Sequence, residues 1–510
     1  MPAASRNALS EFFFRIHPWI YRKTGGRILG KIGGDPVLLL NTIGRRSGQP
    51  RTNGLVYAEH ENGWIVAASW AGEPKNPIWY LNLMAQPEVT VQVRDRVVSV
   101  RARNLEGSER DRGWEKIIEQ DPSFAEYEKR TDGIRQIPVV LLEPRAPETT
   151  GDEYVIYGLS CSYFTGKLEA YFKNKGLPYR YVEMTTGLHL ECSIATGVSQ
   201  LPCVLAPDGT WLTDTTAIIE HFEKEELGPR LSPEDPAAAF CSFLLEDLFD
   251  EWYWRPALYY RWAPEEDSKL MSRWLARTFL ADQKKPLFLR SRFMLKRQRI
   301  VYMKKDGVTN KTAPTIEALY MDSLSALDAI FVKRPFLFGD RPCEADYGLF
   351  GPFFRHFFCD PTPGALMREH APNLAHWVTR LWATRPVSLE KTAPIASVPD
   401  DLGFFFDMIS NDYLPYLEAN ALAVTSGSKM VRYRSQGVDW EVPAAPYRAQ
   451  CLNELKKRFA SLDSAAVSRV TELLSVEAIE LLCGNTTHVE VGVDELGRTG
   501  RLGRAPRVFD

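Results

Sequence analysis

The chain has 510 residues, 45% hydrophobic and 25% charged, with a net charge of −3 and a pI near 6.3. That length is more than one hydrophobic core holds, and sets an expectation of about two to four domains. The composition is that of an ordinary globular protein, and its overall charge gives no reason to expect a nucleic-acid partner.

Charge is uneven along the chain. Residues 1–60 hold nine Lys and Arg against three Asp and Glu, an excess that favours an anionic partner such as a phosphate or a lipid headgroup. The eight cysteines stand at 161, 192, 203, 241, 343, 359, 451 and 483. They form no CxxC pair and no Cys/His metal spacing, so no metal site is expected. Without a secretory signal they read as reduced thiols of a cytoplasmic protein. No apolar run approaches the roughly 18 residues of a membrane span.

At the N-terminus, "ALSEFFFRIHPWIYRK" places Leu9, Phe12, Phe13, Ile16, Trp19 and Ile20 at near-helical spacing, with Arg15, Arg22 and Lys23 between them. Two readings follow. A basic amphipathic helix can lie on a membrane surface, or it can cap its own domain. Pro18 bends or ends the helix in either case.

Residues 36–143 contain six short β-branched runs, "PVLLLN", "GLVYA", "GWIVAAS", "EVTVQVR", "VVSVRARN" and "IPVVLLE". A helical "NPIWYLNLM" lies among them, and a polar helix is expected around 107–130. This pattern predicts a small β-barrel. Between the first two runs lies "GRRSGQPR", residues 44–51. Gly44, Gly48 and Pro50 make it a turn, and it crowds Arg45, Arg46 and Arg51 together. Such a loop can be a solvated basic turn or an anion cradle, since guanidinium forks and turn amides match phosphate and carboxylate oxygens. Trp79 and Tyr80 can pack in the core or flank a planar ring.

These pieces resemble the deazaflavin-dependent nitroreductase family. The turn "GRRSGQPR", the strand end "AAS" and the helix "NPIWYLNL" stand in family order over residues 8–145. The resemblance implies a split β-barrel and coenzyme F420, a deazaflavin with a phosphate and a polyglutamate tail, although another flavin stays open. Arg46, Ser47, Gln49 and Arg51 would hold the tail. Ser69, Ile78, Trp79 and Asn82 would line the deazaflavin slot. The implied chemistry is hydride transfer to quinone, nitroarene or enone acceptors, with Ser69 or Tyr127 as candidate donors to the acceptor oxygen. Trp70 stands where the family often has Lys, and Gly54-Leu55-Val56 replaces its usual Pro-Leu-Tyr.

The stretch "EPRAPETTGDE" reads as a linker, centred on 146–152. Beyond it the expected order is strand, helix (165–176), strand, a hairpin at Asp208-Gly209, and a helix over 215–225. Residues 236–395 look helical, and 396–510 mostly helical with the Gly/Arg-rich tail "DELGRTGRLGRAP". In "LSCSYFTGK", Cys161 and Ser162 sit at a helix N-terminus, where free amides and the helix dipole stabilise a thiolate. Asp214-Thr215 opens a later helix as an acid–hydroxyl pair that can also be a plain cap.

In this order the parts resemble a glutathione transferase. Residues 153–226 match its thioredoxin-like domain and 236–395 its helical domain, with 396–510 as an extension. The resemblance makes glutathione the cosubstrate and electrophiles the partners, and it implies a homodimer. Gln200, Leu201 and Pro202 fall on the cis-proline loop, and Asp214 and Thr215 on the γ-glutamyl site. Ser162 falls on the catalytic position, with Cys161 as its rival. Tyr163 replaces the usual proline, and Cys343 replaces the usual Ser/Thr cap before Asp346. The whole reads as a reductase fused to a transferase, serving detoxification. The alternatives are a transferase whose barrel has lost its cofactor, or a thiol-binding scaffold.

Overall fold

The structure is a computed structural model. It describes residues 16–22, 24, 26–61, 63–94, 96–144, 152–196, 198–225, 227–485, 492–493 and 499–500. All of the 146–152 linker but Asp152, the first fifteen residues and most of the Gly/Arg-rich tail lie outside the described residues.

The first sheet has eight strands: β1 (Lys31–Ile32), β2 (Asp35–Ile43), β3 (Pro50–Val56), β4 (Ala58–His60), β5 (Gly63–Ala67), β6 (Glu88–Val93), β7 (Arg96–Asn104) and β8 (Val139–Pro144). Their order is β1-β2-β6-β7-β8-β5-β4, with β3 also on β2. Only Tyr57 separates β3 from β4, yet β3 pairs with β2 at one side and β4 with β5 at the other. One bent strand therefore carries the sheet round on itself, which makes it a split barrel.

Strand alternation divides its core in two. Trp64, Val66, Val140 and Leu142 join Leu38, Leu40 and Val91 inside the barrel. Ile65, Val139 and Leu141 face outward to Trp114, Ile117 and Phe124. Those three come from two helices, Gly107–Gln120 and Ser123–Thr131, where one was expected. Asp121-Pro122 breaks them, because Pro122 has no N–H to continue the ladder.

Helix 16–22 runs through Pro18 without ending there. The Tyr21 hydroxyl donates to the Val37 carbonyl at 2.7 Å and accepts from the Arg94 amide at 2.7 Å. Arg22 Nη2 donates to Asn41 Oδ1 at 2.7 Å and Thr52 Oγ1 at 2.6 Å. This part of the helix caps the barrel.

The second sheet has order β10-β9-β11-β12, from β9 (Tyr154–Gly158), β10 (Tyr179–Glu183), β11 (Cys203–Leu205) and β12 (Trp211–Thr213). β10 is parallel to β9, and β11 antiparallel to both β9 and β12. Helices α1 (Tyr163–Lys175), α2 (Thr186–Thr196) and α3 (Thr215–Lys224) complete a thioredoxin-like unit. The sequence reading missed α2, which lies against β7 and β8 of the barrel.

The rest is helical, starting with α4 (Pro236–Glu251) and α5 (Trp254–Trp262). One continuous core joins Ile156 and Phe172 of the thioredoxin-like unit, Phe249 and Phe353 of the helical domain, and Phe405, Tyr416 and Leu455 of the extension. The extension is thus built into the core. It also contains an unexpected hairpin, β13 (Met430–Ser435) with β14 (Val438–Pro443).

Candidate functional sites

On the barrel, the arginine turn is closed by the Gly44 amide donating to the Gln49 carbonyl at 2.9 Å and the Gly48 amide to the Gly44 carbonyl at 2.8 Å. Gly48 takes φ +64, a conformation that favours glycine, and a Cβ on Gly44 would stand 2.6 Å from Ser47 Oγ and make that hydroxyl shift. Arg46, Ser47, Gln49 and Arg51 are all exposed. Neither Arg46 nor Arg51 forms an ion pair with a described residue.

The neighbouring helix, Ile78–Ala85, fixes this turn. Buried Asn82 accepts the Arg45 amide on Oδ1 at 3.1 Å. Ile78 is 64% exposed, whereas Trp79 and Tyr80 are buried in the barrel core. Ser69 is buried at the start of a tight turn in which Trp70 and Ala71 take φ +46 and +52. Arg135, which the sequence reading passed over, holds that turn. It donates to the carbonyls of Ala68, Ser69 (2.8 Å) and Glu73 (3.0 Å), and to Asn76 Oδ1 at 2.8 Å. A lone Arg carries no sequence signal for such a task. Tyr127 packs on Phe124 beside this turn, its backbone near Gly72.

The second site is a cavity of about 280 Å³ lined by Gln200, Leu201, Pro202, Asp214 and Thr215 together with Phe164, Asp250, Glu251 and Tyr447. Five residues separated by up to fifteen positions are brought to one wall. The Leu201–Pro202 peptide is cis. Asp214 takes φ +68 and caps α3, accepting the Thr216 amide at 3.1 Å on Oδ1. Its other oxygen accepts from the Tyr447 hydroxyl at 3.0 Å. Burial pushes the Asp214 carboxyl up, and Lys167 and the Tyr447 hydrogen bond oppose that rise. Of the lining residues, Gln200 and Asp250 each keep one buried side-chain oxygen, Oε1 and Oδ1, without a hydrogen-bond partner among the described residues.

Tyr447 comes from the extension, at the start of helix Pro446–Ala460. The next residue, Arg448, anchors it through Glu251 (2.9 Å), Tyr416 (2.7 Å) and Asp306 (3.3 Å). Nothing in the local sequence pointed to Tyr447, because it lies more than 230 positions from Asp214. Behind the wall, Lys167 is fully buried between Glu246 and Asp250. Burial alone would lower its pKa, but the two carboxylates outweigh it and raise it.

Ser162 and Cys161 are not part of that lining. Ser162 is half-buried and caps α1, its Oγ accepting the Thr165 amide at 3.4 Å. Cys161 is buried in the core, and burial pushes its thiol up to about 11. Its carbonyl accepts from Arg261 Nη1 at 2.6 Å. Cys343 is no obstacle to its helix, since Asp346 accepts the Cys343 amide at 3.2 Å and the Leu337 amide at 3.0 Å. Among the described residues no group of three or more His, Cys, Asp or Glu is placed to hold a metal, and no helix is long and apolar enough to cross a membrane.

Comparison with known proteins matches residues 13–144 to the F420-H(2)-dependent quinone reductase family. Residues 156–230 match the glutathione S-transferase N-terminal domain and 296–384 its C-terminal domain. The F420-H(2)-dependent quinone reductase Rv1261c of Mycobacterium tuberculosis is 39% identical over 135 residues, 26% of this chain and 89% of that protein. Among solved structures, an F420-H2 dependent reductase (FDR-A) is 41% identical, covering 21% of this chain and 94% of its own, with TM-score 0.20. The beta-etherase LigF from Sphingobium sp. strain SYK-6 is 18% identical over 47% of this chain and 99% of its own, with TM-score 0.34. Through residues 13–144 the chain belongs to the F420-H(2)-dependent quinone reductase family, and that domain is fused to the N- and C-terminal domains of a glutathione S-transferase.

Proposed function

We propose that this bifunctional enzyme reduces quinone-, nitro- or enone-type electrophiles on its barrel and conjugates or cleaves such compounds with glutathione in its second half. The units would be residues 1–145, 153–226, 236–395 and the extension 396–510, joined at 146–152, in a cytoplasmic homodimer. The observation that carries the reading is the single cavity gathering Gln200, Leu201, Pro202, Asp214 and Thr215.

At that cavity the γ-glutamyl ammonium would meet the Asp214 carboxylate, with Gln200 and Asp250 beside it in the lining. Ser162 would donate its hydroxyl hydrogen to the glutathione sulfur, stabilising the thiolate. Cys161 is poorly suited to act instead as a nucleophilic thiolate, because burial pushes its thiol up to about 11.

On the barrel, Arg46 and Arg51 are exposed and have no ionic partner among the described residues, which fits a polyanionic tail. Coenzyme F420, when bound, supplies the hydride. The chain's own part is positional. Asn82 fixes the Arg45 amide, Ser47 and Gln49 stand exposed beside the two guanidinium groups, and Arg135 fixes the backbone at Ser69.

The test is binding of reduced deazaflavin to Arg46→Ala/Arg51→Ala. Losing two hydrogen-bonded charge contacts, each worth about 1.5–3 kcal/mol, should weaken binding by about a hundredfold or more. Affinity equal to that of the unaltered chain would sink the assignment.

A further inference from the structure

Residues 284–305 carry nine Lys and Arg and no Asp or Glu, in a chain whose net charge is −3. The segment forms helix Leu287–Arg297 and a wider-turned continuation, Gln298–Met303. The acids that flank it are engaged elsewhere. Asp282 accepts from the Thr186 hydroxyl and the Gly187 amide, each at 2.7 Å, and Asp306 from Arg448 at 3.3 Å. None of the nine cations forms an ion pair with a described residue. Lys284, Lys285, Arg292, Lys296, Lys304 and Lys305 all stand exposed.

One face of the helix is anchored. Met294 and Met303 are buried with Trp262, Leu275 and Phe279, and Arg299 donates to the Trp262 carbonyl at 2.9 Å. The other face is open and mixed. Positions 288, 289, 292 and 296 fall within an arc of about 100° on a regular helix. They put Phe288, 68% exposed, and Leu289, 44% exposed, beside Arg292 and Lys296, and Ile300, 51% exposed, continues the face.

We propose that this face docks on an anionic lipid bilayer, with Phe288, Leu289 and Ile300 entering the acyl boundary and the flanking lysines and arginines lying among the phosphates. The interleaving decides the occupant. A bilayer interface takes apolar and cationic groups side by side. A nucleic acid duplex would neutralise the cations but leave the three apolar side chains without an apolar partner. The neighbouring helix, Glu265–Arg277, carries Trp274, whose Nε1 donates to Ser160 Oγ at 3.3 Å. Docking would therefore bring the Ser160–Ser162 corner near the phase in which apolar electrophiles concentrate.

The experiment is co-sedimentation of the full chain with phosphatidylcholine vesicles, with and without about one third phosphatidylglycerol. The unaltered chain should partition at least about tenfold more strongly onto the anionic vesicles and come off in high salt. Phe288→Ser/Arg292→Glu/Lys296→Glu should lose at least about tenfold of that partitioning. Equal binding to neutral vesicles overturns the proposal. So does anionic-vesicle binding that survives the triple substitution, which would place the contact elsewhere, for instance in the N-terminal helix. A dimer that dissociates on the triple substitution would assign the face to a second copy of the chain and also overturn it. The salt arm uses the unaltered protein and so does not depend on the variant folding.

Discussion

At the barrel turn, Arg46 and Arg51 stand exposed with no ionic partner among the described residues. Behind the cavity of the second half, Lys167 has no exposure at all and lies between Glu246 and Asp250. The first arrangement is a turn whose backbone is closed by its own hydrogen bonds, so its side chains owe nothing to the fold and remain available to a ligand. In the second the charges are part of the fold, and their field sets the character of a cavity wall from behind. The same residue types therefore serve capture in one place and construction in the other.

Stability separates the two most sharply. Lys167→Met should leave two carboxylates buried without their cation and cost about 3–5 kcal/mol. Arg46→Ala/Arg51→Ala should change stability within about 0.5 kcal/mol, as exposed substitutions usually do. Urea unfolding midpoints of the two variants test this. An unmoved midpoint for Lys167→Met would mean that the buried trio is not a structural element.

A smaller effect is expected at Ser162, which is half-buried and lies between those extremes. A hydrogen bond to a charged group is worth about 1.5–3 kcal/mol. Ser162→Ala should therefore ionise the bound glutathione thiol about one to two pH units higher. It should also lose about 1 kcal/mol of stability with the cap of α1. Cys161→Ala should leave the titration in place, since its own thiol is held protonated by burial. Thiolate absorbance against pH checks both. A titration moved by Cys161→Ala and not by Ser162→Ala would make Cys161 the working residue and point to mixed-disulfide chemistry.

The same contrast explains what was legible in the sequence. The arginine turn is local, with all its parts within eight positions, and its glycines, exposed cations and strand-to-strand placement could all be read directly. The Gln200–Pro202 and Asp214–Thr215 pieces are short local motifs as well, and the fold brings them to one wall. Arg135, Asp250 and Tyr447 act across long separations through burial and backbone carbonyls, and no spacing announces such contacts. The hairpin of β13 and β14 is a different kind of miss. Val431, Tyr433, Trp440 and Val442 alternate with charged residues around Gln436-Gly437, both at positive φ. That is a readable two-residue turn, hidden by the helical character of its surroundings.

The smallest effect falls on Tyr447, where the extension meets the cavity. Its hydroxyl donates to Asp214 Oδ2 and does two things at once. It fixes the carboxylate, and it opposes the rise in pKa that burial imposes. Tyr447→Phe keeps the ring and removes one hydrogen bond, worth about 0.5–1.5 kcal/mol. Glutathione should bind about three- to tenfold more weakly, with kcat little changed, because Asp214 acts on the ammonium end and not on the sulfur. The sign with pH is fixed by which form binds. Ammonium recognition needs ionised Asp214, so affinity in the unaltered chain falls as pH drops through its raised pKa. Without the Tyr447 hydroxyl that pKa rises further, and the fall should begin at higher pH. A glutathione analogue lacking the γ-glutamyl amino group completes the test. The unaltered chain should discriminate against it, and Tyr447→Phe should discriminate less. If both proteins bind glutathione alike at every pH, Tyr447 only packs against the cavity wall, and the extension has no part in recognising the ligand.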